Sequence, residues 1–172
     1  DPNIPILYEV DRIRDVRIFS TRRVVAVQHG KAIFNLQASF HDDEPGPDHQ
    51  LAMPAGVTPA DDLEHFHVRM APYADRLGDW YYRPRPIDLR YVDGDPMSRA
   101  GEPSTSQRVW FRTDGALPDD PVLHICVLTY ASDMTLLDTT LQPHGASFTA
   151  GSVFMASLDH AMWFHRPFRA DE

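Results

Sequence analysis

The sequence predicts an α+β fold in which an antiparallel sheet wraps around one central apolar helix, and three observations carry that prediction. Two separate blocks, one near the start of the chain and one after residue 86, alternate apolar and polar residues with period 2, the pattern of half-buried strands. A single stretch after Asp119 repeats its apolar residues at helical spacing instead. Between the blocks lies a proline-rich segment with neither pattern. An apolar helix has to be covered, and a sheet with one apolar face is a stable way to cover it.

The elements can be justified in order. Ile4 to Val10 alternates, with Ile6, Tyr8 and Val10 on one side, and reads as a half-buried strand. Phe19 to Phe40 reads as a long hairpin whose second arm sets Phe34, Leu36, Ala38 and Phe40 against Asn35, Gln37 and Ser39. Its turn falls on Gln28-His29-Gly30-Lys31, where Gly30 can supply a positive φ. Residues 42–86, broken by Pro45, Pro47, Pro54, Pro59, Pro72, Pro84 and Pro86, are expected to be an inter-domain linker with at most a short helix near Ala60–Met70. Ile87, Leu89 and Tyr91 then alternate with Asp88 and Arg90, and Gln107 to Thr113 alternates again. Asp119-Asp120-Pro121 offers an acidic N-cap followed by Pro at the first helical position. The helix it opens carries Val122, Ile125, Cys126, Thr129 and Tyr130 at helical spacing. Leu123, Val127 and Leu128 extend the apolar surface around it, so it is expected to be buried. Val153 to Phe164 reads as a long strand stopped by Arg166-Pro167.

Composition narrows the classes of function. Hydrophobic residues make up 42% and charged residues 24% of the chain, which is ordinary for a globular protein and too apolar for a disordered one. No run approaches the ~20 apolar residues of a membrane span. A net charge of −9 argues against nucleic acid as the main partner, since tracking phosphates needs clustered Lys and Arg. The basic residues are almost all Arg, which leaves a small anionic ligand open. Cys126 has no partner for an internal disulfide, and no zinc-type spacing exists, so no metal or redox cofactor is expected. Asp1 to Pro5 lacks the charged-then-apolar form of a signal segment, and an intracellular, cytoplasmic setting is expected. The chain starts without Met, almost directly in a strand-like run, and stops at Glu172 without a tail; it reads as an excerpt from a longer protein.

Several motifs, taken together, are more specific. Phe19 to Val25, Gly30-Lys-Ala-Ile-Phe34 and Ala38-Ser-Phe40 in the first block are followed by Ile87-Asp-Leu-Arg-Tyr91, Trp110-Phe-Arg112, Tyr130-Ala-Ser-Asp133, Leu141-Gln-Pro-His-Gly145 and Ser157-Leu-Asp-His-Ala-Met-Trp-Phe-His165. This ordered set, running over essentially the whole chain, resembles the acyl-CoA thioesterase II family. The resemblance implies two hotdog domains in tandem: residues 1–41 as part of the first, 42–86 as the linker, and 87–172 as part of the second. It also implies an acyl-CoA substrate and a homo-oligomer of paired domains. The family's water-activating trio is an Asp, a Thr or Ser, and a Gln. By motif the Asp falls on Asp133 and the hydroxyl on Ser157, while the Gln would follow Glu172 and the opening helix of the first hotdog would precede Asp1. Asp15-Val16-Arg17-Ile18 departs from the family's usual Asp-Gly and Ser ahead of Phe-Ser, so that turn is expected to differ. Without the parts outside it, the isolated chain is expected to expose apolar faces and sheet edges and to associate.

The chemistry supports the assignment of Asp133. Thioester hydrolysis needs a nucleophile at neutral pH, and a carboxylate can orient a water and accept its proton. A carboxylate at the end of a buried helix sits near partial negative charge, which strengthens it as a base. A hydroxyl such as Ser157 can hold the same water from another side. Each residue has a plainer reading as well: an Asp at a helix end often caps it or faces solvent, and a strand Ser often does the same. His160 and His165, five apart on a strand, would face opposite sides, so shared metal ligation is not expected and structural hydrogen bonding is. Gly145-Ala-Ser147-Phe-Thr149 begins like a nucleophile elbow but lacks the second Gly, which sets a serine hydrolase aside. Two other readings stay open: a non-catalytic acyl-CoA-binding module, and a different hotdog chemistry such as dehydration of a hydroxyacyl thioester.

Overall fold

The computed structural model describes residues 1–94, 97, 103–146 and 153–172. The chain divides into two compact units, Asp1–Met53 and Pro54–Glu172.

The first unit is a three-stranded antiparallel meander of β1 (Leu7–Asp15), β2 (Phe19–Gln28) and β3 (Lys31–His41), in the order β1-β2-β3. The β2–β3 hairpin turns on His29 and Gly30, which have φ of 51° and 70°. Two successive positive φ values give a two-residue turn whose twist matches that of the strands it joins. β1 starts later than its alternation suggests and runs on to Asp15, because an irregularity between Arg12 and Arg14 shifts the phase of the pairing. Register places Tyr8, Ala26 and Phe34 side by side, then Val10, Val24 and Leu36. Residues paired across antiparallel strands point to the same side, so these form one apolar face, and Val10, Phe34 and Phe40 on it are exposed.

The second unit is built on a two-stranded antiparallel sheet of β4 (Ile87–Tyr91) and β5 (Val109–Thr113), with Leu89 opposite Phe111. Both strands fall where their alternation predicts. Ile87, Leu89 and Tyr91 are buried on one face. Leu89 and Tyr91 form a core with Phe66 and Met70 of α1 (Phe66–Met70), and Tyr73, Leu77, Tyr81, Val109 and Met134 pack against it.

The opposite, polar face of this sheet is also covered. Arg90, with a side chain 7% exposed, donates to both carboxylate oxygens of Asp88 (9% exposed), with Nη2 2.9 Å from Oδ2. It also donates from Nη1 to the carbonyls of Ala60 (2.7 Å) and Leu63 (3.3 Å). His65 lies between the pair, Nδ1 3.2 Å from Asp88 Oδ1 and Nε2 3.1 Å from Arg90 Nη2. Trp110 Nε1 donates to the Thr58 carbonyl at 2.9 Å. The hydrogen bond to Asp88 is the main reason the Arg90 guanidinium is held above its ordinary range.

The stretch expected to hold at most one short helix is therefore more ordered than its prolines suggest. Residues 58–65 lie along the polar face of the sheet, and α1 is followed by α2 (Ala74–Leu77) and α3 (Asp79–Tyr82). Each of these helices is too short to show a helical repeat in sequence. Their apolar residues are recruited by the sheet rather than by local periodicity.

The predicted helix forms as α4 (Pro121–Ser132), with the Asp120 carboxylate accepting the Val122 N–H at 2.9 Å and Pro121 in the first turn. Its expected burial is only partly met: His124 and Ala131 are buried, whereas Val122, Cys126 and Tyr130 are exposed. Val122, Cys126 and Tyr130 follow one another at four-residue spacing and so share one side of the helix, the side left open. α5 (Leu136–Leu141) follows directly. The predicted strand over Val153–Phe164 does not form a ladder: its described residues, 153–164, pair with no other strand. Ser147 and Thr149 of the rejected elbow lie outside the described residues.

The last residues clasp the start of α4. Arg169 donates from Nε and Nη2 to the two Asp171 oxygens (3.0 and 2.9 Å) and from Nη1 to Asp119 Oδ1 (3.1 Å). Asp171 Oδ2 accepts the Leu117 N–H at 2.8 Å. The Arg169 guanidinium first, and the Leu117 N–H second, hold the Asp171 carboxyl down at about 2. A depressed carboxyl stabilises the fold above its ordinary value near 4, and that contribution is lost as pH falls toward 2. Asp171→Asn is expected to lower the Tm by a few degrees at pH 7, with the gap to the native chain closing between about pH 4 and pH 2. Thermal melts across that range check it; a gap independent of pH would assign the loss to something other than this charge.

Candidate active site

Asp133 follows the last residue of α4 directly and serves as its C-cap with helical backbone angles (φ −80°, ψ −10°). The carboxylate therefore stands where the helix presents its unpaired carbonyls. Contrary to the buried setting expected for it, the side chain is 62% exposed, although Ala131, two residues earlier, is buried.

Two groups meet there. The Ser132 hydroxyl, one residue earlier, lies 2.8 Å from the Thr129 carbonyl, 3.0 Å from His160 Nε2 and 3.2 Å from Met162 Sδ. The other ring nitrogen, His160 Nδ1, lies 3.7 Å from Asp133 Oδ1. Ser157, three residues before His160, is exposed and makes no hydrogen bond to another described residue. Of the two residues that the motifs single out, Asp133 is approached by His160 and Ser157 is not brought into contact with it. Ser132 and His160 both stand in the motifs that carry the resemblance, but nothing in the spacing of the two motifs shows that they meet.

An apolar groove of about 300 Å³ runs beside the same helix. Ile87 and Leu117 line it from the sheet side, and Cys126, Val127 and Tyr130 from α4. Tyr130, the last residue of α4 to line the groove, precedes Asp133 by three residues, about one helical turn. The size is at the small end for a ligand pocket. Among the described residues no group of three or more His, Cys, Asp or Glu is placed to hold a metal ion, and no helix is long and apolar enough to cross a membrane.

A further acidic group lies one turn into α5. Burial pushes the Asp138 carboxyl up to about 6. A raised carboxyl favours the protonated form in the folded state, so its contribution is fully present below about pH 4 and is lost as pH rises through 6. Asp138→Asn is expected to be more stable than the native chain at pH 7 by about 1–3 kcal/mol, with the difference vanishing below about pH 4. Denaturant midpoints at pH 4 and pH 7 check this; equal midpoints at pH 7 would show that Asp138 is well solvated.

The fold is that of a hotdog-fold protein. A solved hotdog-fold protein of unknown function from Alicyclobacillus acidocaldarius superposes with a TM-score of 0.58 at 16% identity, covering 83% of this chain and 48% of that one, a likeness of fold alone. A profile of the family described as acyl-CoA thioesterase matches residues 88–172. The crystal structure of an acyl-CoA thioesterase II from Mycobacterium marinum superposes with a TM-score of 0.72 at 43% identity, over 97% of this chain and 58% of that one. The mouse protein named acyl-coenzyme A thioesterase 8 is 39% identical over 185 residues, covering 99% of this chain and 56% of its own length. Residues 88–172 carry the profile of the acyl-CoA thioesterase family, and over its whole length the chain is similar to proteins that bear that name. It spans a little over half the length of these relatives.

Proposed function

We propose that the protein carrying this chain hydrolyses the thioester bond of a fatty acyl-CoA, releasing a free fatty acid and CoA, with Asp133 as the base that activates water. The observation that carries this reading is the Asp133 carboxylate standing one helical turn from an apolar groove along α4. An acyl chain in that groove would bring its carbonyl carbon within reach of a water held by the carboxylate. The water's oxygen bonds to that carbon, its proton passes to Asp133, and the C–S bond breaks with its electron pair on sulfur. Ser157 is the second holder of the water, a role that requires residues 153–165 to approach Asp133 more closely in the substrate complex; His160, three residues on, is already there.

The domain organisation belongs to the same reading: residues 1–41 as part of a first hotdog, 42–86 as a connecting segment, and 87–172 as part of a second. The two compact units are compatible with it, although the connecting segment's second half packs with the second sheet. A homo-oligomer is proposed, supported by the exposed apolar face of β1–β3. The single cysteine, lacking a disulfide partner, fits a cytoplasmic setting.

Thiol release from a long-chain acyl-CoA tests the function. Release above the uncatalysed rate supports hydrolysis. Binding without release would turn the reading to an acyl-CoA-binding module, and a hydrated or unsaturated acyl product would turn it to a dehydratase.

A further inference from the structure

Outside the base itself, the group with most to explain is His160. Its two ring nitrogens face two consecutive residues: Nε2 lies 3.0 Å from Ser132 Oγ and Nδ1 3.7 Å from Asp133 Oδ1. The side chain is only 26% exposed, although it stands on a stretch without ladder partners.

Hydrogen-bond counting points to the proton on Nε2. Ser132 has one hydroxyl proton, and the Thr129 carbonyl at 2.8 Å is a better acceptor than the Met162 thioether at 3.2 Å. With that proton committed, Ser132 Oγ can only accept from the imidazole, so Nε2 carries the hydrogen in the neutral ring. Nδ1 is then an unprotonated lone pair turned toward a carboxylate. At 3.7 Å the two are too far apart for a direct hydrogen bond. Two acceptors facing each other have nothing to share until a proton arrives, and general-base action by Asp133 delivers one.

We propose that His160 is the positioning residue of Asp133: Ser132 fixes its imidazole so that Nδ1 faces the carboxylate and takes up the proton that Asp133 removes from water. This rests on the reading of Asp133 as the base. The step balances. Asp133 takes the proton as the water oxygen bonds to the acyl carbon. Rotation of the exposed Asp133 side chain closes the 3.7 Å gap, and the proton moves from its carboxyl to His160 Nδ1, which restores the carboxylate and leaves an imidazolium. The imidazolium returns it through solvent to the departing thiolate, and the net reaction is acyl-CoA plus water giving acid plus thiol.

The experiment pairs a spectroscopic readout with a kinetic one. In the chain labelled with ¹⁵N-histidine, the His160 ring is expected to show its proton on Nε2. Ser132→Ala is expected to move the Nε2 signal, and Asp133→Asn the Nδ1 signal. In the acyl-CoA assay, on the full-length protein, His160→Ala is expected to lower kcat by about 10-fold or more with KM within about twofold, and added free imidazole to restore part of it. Signals unmoved by either substitution overturn the proposal, as does an unchanged kcat, or a loss that imidazole does not relieve. If both signals respond but Asp133→Asn leaves turnover intact, the base assignment fails and His160 is reduced to a structural contact.

Discussion

Asp133→Asn is expected to lower thiol release from a long-chain acyl-CoA by about 100-fold or more, with KM nearly unchanged. The amide keeps the size and shape of the carboxylate but can no longer accept a proton from water, so the loss falls on the chemical step rather than on binding. The surroundings favour a clean result. The side chain is 62% exposed and caps α4 through its backbone, so the substitution does not strand a buried group or remove the helix's own hydrogen bonds. Ser157→Ala is expected to lose less, about 10-fold, since a hydroxyl that orients the water is only one of its holders. Steady-state kinetics on the native protein and both variants check this. Equal rates for native and Asp133→Asn would remove Asp133 from the mechanism. A rise in KM alone would make it a substrate contact instead.

Arg90→Met is expected to destabilise the second unit by about 3–5 kcal/mol, measured as the shift in its denaturant midpoint. Arg90 and Asp88 are both largely shielded from water, and the guanidinium serves the carboxylate and the carbonyls of Ala60 and Leu63 together. Methionine fills much of the volume but leaves the Asp88 charge, among the described residues, with His65 at 3.2 Å and Arg112 at 3.8 Å. Two backbone carbonyls lose a donor as well. The double variant Asp88→Asn with Arg90→Met should recover part of the loss, because no uncompensated charge remains. A loss below about 1 kcal/mol in the single variant would show that residues 58–65 are held on the sheet by something other than Arg90.

The same two sites show how far the sequence alone reached. Period-2 alternation located β2, β3, β4 and β5, since one side of each strand is apolar and the repeat is short enough to read in a few residues. Asp119-Asp120-Pro121 located the start of α4, because capping is local chemistry between neighbours in the chain. The ordered motifs pointed to the family and to Asp133, which needs only the order of residues. What the sequence could not decide depends on contacts between distant segments. Arg90 alternates like a solvent-facing residue, and only the crossing of residues 58–65 turns it into a buried partner. The helix α4 is apolar around most of its surface, yet its burial depends on how much sheet is present to cover it. The run 153–164 has the composition of a strand, but a strand exists only where another pairs with it. His160 lies 27 residues beyond Asp133, and its meeting with Ser132 and Asp133 follows from tertiary structure, which alone sets which distant side chains share a few ångströms of space.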